Sequence, residues 1–344
     1  MVINKISKKF IHIYKTILKK CFIFNFKFKI NPKAAQPYTI RKYVKNDETE
    51  IINIINRVID PDLNLNKWNW KYGKNIKNEI IVAINEKKEI VGHMAKIYND
   101  GICNKKNKGL CQVTDICLLP EYRGQNFLKS SLSKITINFL AYGFTDNKTL
   151  SFAYANTSNS INGNVGKTVS FKVPIYQKKI NSVKHKDNVY IVKKADIKYA
   201  NEIDMLWNKK LSEIDTGICR DWKYLKWRIL DSPENQDLFL INKYKDTIGY
   251  FSTKYKNGNI IITDLLILNE HYINAFEAIE KFCKKLNAKK ILIAISDRKL
   301  SKHLKKLNYK IFKKAYFVYF DINGDTIPSN YYLTLNDADW DLGI

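Results

Sequence analysis

The stretch Thr114-Asp115-Ile116-Cys117-Leu118-Leu119-Pro120-Glu121-Tyr122-Arg123-Gly124-Gln125-Asn126-Phe127-Leu128 runs an apolar strand into a turn that holds Arg and Gly, and the turn opens into an amphipathic helix. Backbone N–H groups at such a helix start can receive a phosphate, and the helix dipole adds to the attraction. One glycine alone makes the turn neither a Rossmann G-x-G-x-x-G nor a Walker A sequence, which excludes dinucleotide and ATP sites of those kinds. The helix that follows carries Leu128, Leu132, Ile135 and Phe139 on one stripe and ends near Gly143.

Working outward, residues 39–43 predict a strand, and Ile51, Ile54, Ile55 and Val58 after Asp47 predict a helix ended before Pro61. Residues 79–85 and 89–98 predict two more strands, and 149–154 another beyond the long helix. A charged linker over 177–188 precedes a second block in which the order recurs. Its strands are predicted at 189–193, 238–242, 248–255, 260–268, 290–295 and 310–320, and its helices at 197–211, 272–286 and 300–307. The recurrence is one of architecture, with little identity of sequence. It predicts an α+β chain of two domains, 38–180 and 189–344, after an extension over 1–37.

A chain of 344 residues with 45% hydrophobic and 27% charged residues can bury two medium cores, which excludes disorder throughout and fibrous architectures. Its six cysteines form no C-x-x-C pair and no dense disulfide framework, so reduced thiols and a cytoplasmic location are expected. No run of 18 apolar residues predicts a spanning helix, and no small-residue cleavage box follows the N-terminus. The formal charge of +26 is uneven: 1–37 holds nine lysines and no acid, and 281–314 holds thirteen Lys or Arg against Asp297 alone. Only six of the 59 basic residues are arginines, and neither segment interleaves aromatics with glycines as a nucleic-acid stacking platform would. Residues 1–26 space Ile3, Ile6, Phe10, Ile13 and Ile17 among lysines, the pattern of a helix lying on an anionic membrane surface.

Residues 120–125 are similar to the P-x-Y-R-G-x-G turn of the GCN5-related N-acetyltransferase superfamily. Several further segments resemble its bacterial tandem-domain members. Residues 151–160 are similar to their G-F-P-N-x-x-S segment, Val169-Ser170-Phe171 to L-G-F, 220–228 to R-D-x-x-Y-L-x-W-R, and 331–339 to a tail with D-x-D. The resemblance implies two tandem acyl-CoA N-acyltransferase-like domains, each a mixed, mostly antiparallel sheet with flanking helices. It implies acetyl-CoA or another acyl-CoA as co-substrate, with Arg123, Gly124, Gln125, Asn126, Phe127 and Leu128 around the pyrophosphate. Leu118 would offer backbone groups to the pantetheine arm, and Asn156 would hydrogen-bond it or the substrate. Asn126 stands where the family usually has Gly, Leu128 where Gly or Ala is common, and no tyrosine lies between Tyr154 and Tyr176 to serve as general acid. Before the second block's helix, Asn269-Glu270-His271-Tyr272 supplies neither Arg nor Gly, which implies a second domain without a cofactor.

Transfer of an acyl group to an amine needs a base and a donor for the carbonyl oxygen. Asp115, on the strand that enters the turn, and Asp221 are the catalytic candidates, among other acids at Glu79, Glu89, Asp264, Asp337 and Asp339. Arg220 and Asp221 are expected to pair with each other and hold the helix that follows. Asp337 and Asp339 are expected on an exposed tail that closes over an inter-domain cleft. The histidines, His93 among them, lack metal-ligand spacing, so no metal is expected, and Cys117 in its apolar strand is expected to pack. Three functions follow: acyl transfer from acyl-CoA to the amine of a small molecule such as an amino sugar; non-catalytic binding by a degenerate tandem fold; and aminoacyl transfer from a charged tRNA, which the basic 281–314 region would contact.

Overall fold

β-Branched and aliphatic side chains fill the strands of both halves, and the two sheets expected side by side are joined into one of twelve strands. The computed structural model describes residues 36–74, 76–122, 150–155, 167–180, 189–321 and 330–337. Residues 1–35, residues 123–149 where the turn and long helix are expected, Asn156 and Asp339 lie outside them.

The N-terminal half comprises β1 (Thr39–Lys42), α1 (Glu48–Val58), α2 (Leu65–Tyr72), β2 (Asn78–Ile84), β3 (Ile90–Asn99), β4 (Gly101–Cys103), β5 (Lys106–Asn107), β6 (Leu110–Leu118), β7 (Leu150–Ala155) and β8 (Lys167–Lys179). The C-terminal half comprises β9 (Tyr190–Lys194), α3 (Ala200–Leu211), β10 (Gly217–Ile218), α4 (Trp222–Leu225), β11 (Asp237–Lys243), β12 (Asp246–Lys256), β13 (Asn259–Ile267), α5 (Tyr272–Lys285), β14 (Lys290–Ala294), α6 (Arg298–Lys306) and β15 (Lys310–Asp321). The sheet order is β1-β2-β3-β6-β7-β15-β8-β14-β13-β12-β11-β9. Only β6/β7 and β13/β14 pair in parallel; the other ladders of this sheet are antiparallel.

That order exchanges strands. β15, the last strand among the described residues, lies against β7, and β8, the last described strand of the N-terminal half, lies against β14. The two exchanged strands pair with each other from Lys310↔Gln177 to Asp321↔Lys167. The linker expected from residue 177 therefore begins later: Gln177 is paired on both sides, to Lys310 and Leu292, and Ile180 is buried. Charge at 178–179 does not end the strand, because Lys178 reaches the buried Glu280 at 2.7 Å. The core divides in the same manner. Val173, Ile175 and Tyr176 of β8 belong to the C-terminal half's apolar cluster, whereas Ile51, Ile54 and Ile55 of α1 pack on β2, β3 and β6 in a second cluster.

A small three-stranded sheet, β10-β4-β5, ties the halves again. Gly101 is required at that crossing, since a Cβ there would lie 2.7 Å from the Gly217 carbonyl oxygen and 2.5 Å from Leu110. Among the described residues no helix is long and apolar enough to cross a membrane.

Candidate functional site

β6 keeps register with β7 only from Leu110↔Leu150 to Gln112↔Phe152, although it continues to Leu118. Beyond that point its ladder with β3 shifts, from Ala95↔Thr114 to His93↔Cys117, so one extra residue is inserted at Asp115-Ile116. Asp115 adopts φ 50°, left-handed backbone that Asp tolerates better than most non-glycine residues. A bulge bends its strand and raises the local twist. Here it coincides with the separation of two parallel strands, which opens a V just ahead of the Pro120–Tyr122 turn that leads to Arg123.

The bulge is braced from α2 and β3. The Asp115 carboxylate accepts from Lys71 Nζ at 2.8 Å, from the Tyr72 hydroxyl at 2.5 Å and from Thr114 Oγ1 at 3.2 Å. Its carbonyl oxygen lies 2.8 Å from His93 Nδ1. A carbonyl can only accept, so Nδ1 carries the proton and Nε2 does not. Nε2 has no hydrogen-bond partner in its buried setting beside Trp68 and Tyr72. Burial holds the His93 pKa down at about 4, against the opposing pull of Asp115. α2 is set in place at both ends: Asn64 accepts from the Asn66 and Lys67 N–H groups, and a Cβ on Gly73 would lie 2.3 Å from the Asn69 carbonyl oxygen.

The same backbone device recurs in β13. It pairs with β14 only from Asn259↔Lys290 to Ile262↔Ile293, and its ladder with β12 shifts between Thr253↔Ile262 and Ser252↔Asp264. Here the chain's own residues 331–337 occupy the opening. The Tyr332 hydroxyl donates to the Leu265 carbonyl at 2.5 Å, and Ser296 N–H donates to the Leu333 carbonyl at 3.1 Å. Arg220 bridges the two sides, donating to Asp264 at 3.1 Å, to Asp337 at 2.5 Å and to Thr334 at 3.2 Å, with its guanidinium 4.9 Å from the Tyr332 ring centre.

Two expectations are corrected by this cluster. Arg220 pairs with Asp264 and Asp337, not with Asp221, and Asp337 is buried rather than part of an exposed tail. A guanidinium taken fully out of water needs carboxylates at hand, and the tail brings one. Burial works against the Arg220 charge, but Asp264 and Asp337 outweigh it and hold its pKa above the ordinary value. Burial likewise raises Asp264, against the pull of Arg220.

Between the halves lies a cavity of about 600 Å³ whose walls include Trp70, Tyr98, Asp100, Asp221, Tyr224 and Trp227. Asp221 caps α4, accepting from the Tyr224 N–H at 2.8 Å. Trp70 and Trp227 clasp across the halves: each indole N–H donates to the other residue's carbonyl, at 2.7 and 3.0 Å. Arg228 is held at 5.3 and 5.7 Å from the two rings and donates to the Asn336 carbonyl. Cys219 also borders the cavity, and burial with Asp221 nearby pushes its thiol up to about 12, so it stays protonated.

Of the sequence candidates, Asp115 and Leu118 lie on the part of β6 that has left β7, with Leu118 buried and paired to Gly92. Asp221 faces the cavity, and α2 serves both places, giving Lys71 and Tyr72 to Asp115 and Trp70 to the cavity wall. Arg123, Gly124, Gln125, Asn126, Phe127, Leu128 and Asn156 lie outside the described residues. Lys71, Tyr72 and the Trp70/Trp227 clasp escaped the sequence reading, and so did α2. Its one signal was aromatic density, three aromatics within Trp68-Asn69-Trp70-Lys71-Tyr72. Among the described residues no three of His, Cys, Asp and Glu converge to hold a metal ion.

No family model matches this sequence, and no curated protein does. Solved structures match its shape. A protein of Enterococcus faecalis V583, described as of unknown function and a probable N-acyltransferase, aligns at TM-score 0.63 and 12% identity over 84% of this chain and 74% of its own. A GCN5-related N-acetyltransferase of Anabaena variabilis aligns at 0.61 and 13% over 82% and 72%. Saccharomyces cerevisiae N-myristoyltransferase with bound myristoyl-CoA aligns at 0.57 and 9% over 87% and 81%. The chain has the fold of the GCN5-related N-acetyltransferases.

Proposed function

We propose that this protein transfers an acyl group from an acyl-CoA thioester to an amine, with the thioester in the opening between β6 and β7 and the acceptor in the cavity between the halves. The observation that carries this is the bulge at Asp115, where β6 leaves β7 shortly before the Arg123-Gly124 sequence. The opening is walled by backbone that has left its neighbour, as a thin pantetheine arm requires, and the sequence from Arg123 onward, outside the described residues, is where the resemblance implies a pyrophosphate site. When bound, the thioester supplies a carbonyl open to attack by a neutral amine and a thiolate that leaves. Lys71 and Tyr72 fix the bulge through Asp115, so that backbone beside the carbonyl is held ready for the developing negative charge. Asp221, at the cavity wall, is suited to receive the acceptor's cationic amine and to take a proton from it. The cofactor is assigned to the N-terminal half because residues 331–337 fill the corresponding opening in the other.

A small-molecule amine, an amino sugar among the options, fits a cavity of about 600 Å³. Titrating the protein calorimetrically with acyl-CoA thioesters from two to fourteen carbons tests the reading and reports the acyl length. Binding that weakens at least tenfold in Gly124→Val supports it; absence of binding at millimolar thioester across the series removes it.

A further inference from the structure

β14 and β15 both run antiparallel to β8, so both begin at the end of the sheet where β8 finishes at Lys179. The helices that lead into them, α5 and α6, pack together and end there too. The topology therefore gathers Lys284 and Lys285 of α5, Lys305 and Lys306 of α6, and Lys310 and Lys313 of β15 at one end of the molecule, all exposed. Across 281–314 there are thirteen basic residues and one acid, Asp297. That acid is already engaged, accepting from the Lys299 and Leu300 N–H groups and from the Tyr272 hydroxyl. A general enrichment in lysine does not produce this patch, because outside it and the first 37 residues acids nearly balance bases.

The same end exposes large apolar side chains. Leu286 is 48% exposed, Ile311 44% and Phe312 51%. The β15/β8 ladder shifts between Ile311 and Lys313, which leaves Phe312 as the extra residue of a bulge.

We propose that this lysine-rich end docks on an anionic lipid surface, with Leu286, Ile311 and Phe312 entering the interface and the lysines facing the headgroups. Lysine ammonium groups respond to the negative potential of such a surface, and apolar residues among them gain by entering the headgroup boundary. A nucleic-acid backbone would give the three apolar residues nothing to bury against. None of the six basic residues gathered there is an arginine, the side chain suited to bidentate phosphate contacts, and Arg298 lies at the other end of α6.

The test uses the full chain and co-sedimentation with phosphatidylcholine vesicles, with and without phosphatidylserine. Binding is expected only where phosphatidylserine is present. The combined variant Lys305→Glu, Lys306→Glu, Lys313→Glu should lower partitioning by more than about 1,000-fold. Lys87→Glu, Lys193→Glu, Lys245→Glu, with the same change in net charge on other exposed sites, should lower it less than about threefold. Phe312→Ser should lower it roughly tenfold. Should the Glu variant lose its fold, Lys→Gln at the same three positions replaces it, with about a 100-fold fall expected. Equal losses in the two triple variants would overturn the proposal and leave net charge or the basic first 37 residues as the cause. Absence of vesicle binding, indifference to Phe312→Ser, or loss of RNA binding in the patch variant with vesicle binding intact would each overturn it as well.

Discussion

β6 and β13 bend by the same device and are closed in different ways. Each leaves its parallel neighbour after a few paired residues, at a bulge with an aspartate in it (Asp115) or directly after it (Asp264), and in each a basic side chain meets that aspartate. In the C-terminal half the tail completes the arrangement, and Arg220, Asp264 and Asp337 have side chains that are 0% exposed. In the N-terminal half α2 braces the bulge from one face, and Lys71 and Asp115 keep 8% and 11% of their side chains in contact with solvent. The difference separates scaffold from site. A bulge beside diverging strands supplies an opening, and what the chain then places in it decides whether a ligand can enter.

The sharpest way to break this contrast is Arg220→Met. It leaves two buried carboxylates without a cation and should cost about 3–5 kcal/mol, read as a lower urea midpoint. A cost below about 1 kcal/mol would mean that the second opening is not held by charge.

His93 gives the next largest effect, and it depends on pH. Its folded pKa of about 4 lies below the ordinary 6.5, so the unfolded chain takes up the proton first as pH falls. Its contribution is fully present above pH 6.5, declines between 6.5 and 4, and amounts to about 3 kcal/mol lost at the lower limit. The difference in unfolding free energy between wild type and His93→Gln should therefore change across that window and be flat above it. A parallel pair of curves would remove burial of His93 as the cause.

Lys71→Met should cost about 2 kcal/mol, less than Arg220→Met because the pair retains some solvent. It should also lower turnover, with Lys71→Arg recovering stability better than rate. Equal recovery of both would make Lys71 a purely structural brace. Lys226→Ala should be the mildest, within about 0.5 kcal/mol, since its pair with Asp231 is nearly half exposed on both sides.

The long apolar strands and α1, α3, α5 and α6 were legible in the sequence because such strands alternate or run apolar and the helices carry an Ile or Leu stripe, as at Ile51, Ile54 and Ile55, whereas α2, α4, β8 and the short strands β4, β5 and β10 were not. Nor was the strand exchange. Nothing local in Lys310–Asp321 says which β-strand it will pair with, and register across a sheet is a long-range choice. The bulge at Asp115 was hidden for a related reason, since one inserted residue shows only against the partner strand. Asp115 and Asp221 were legible as acids near the motifs, but their partners Lys71, Tyr72 and Tyr224 come from short helices with little periodicity to detect. Asp337 was misplaced because a charged tail looks solvated until a buried guanidinium calls it inward.

The exchange of β8 and β15 has a consequence for synthesis. A nascent chain that has released its first 180 residues from the ribosome still lacks the strand that will lie between β7 and β8, so its sheet has unpaired edges where the interior should be. Neither half can complete its part of the sheet alone. The edges of β7 and β8 that face β15 stay unpaired until residue 321 has emerged, although the cluster of α1, β2, β3 and β6 draws its buried residues from the first 122 residues alone.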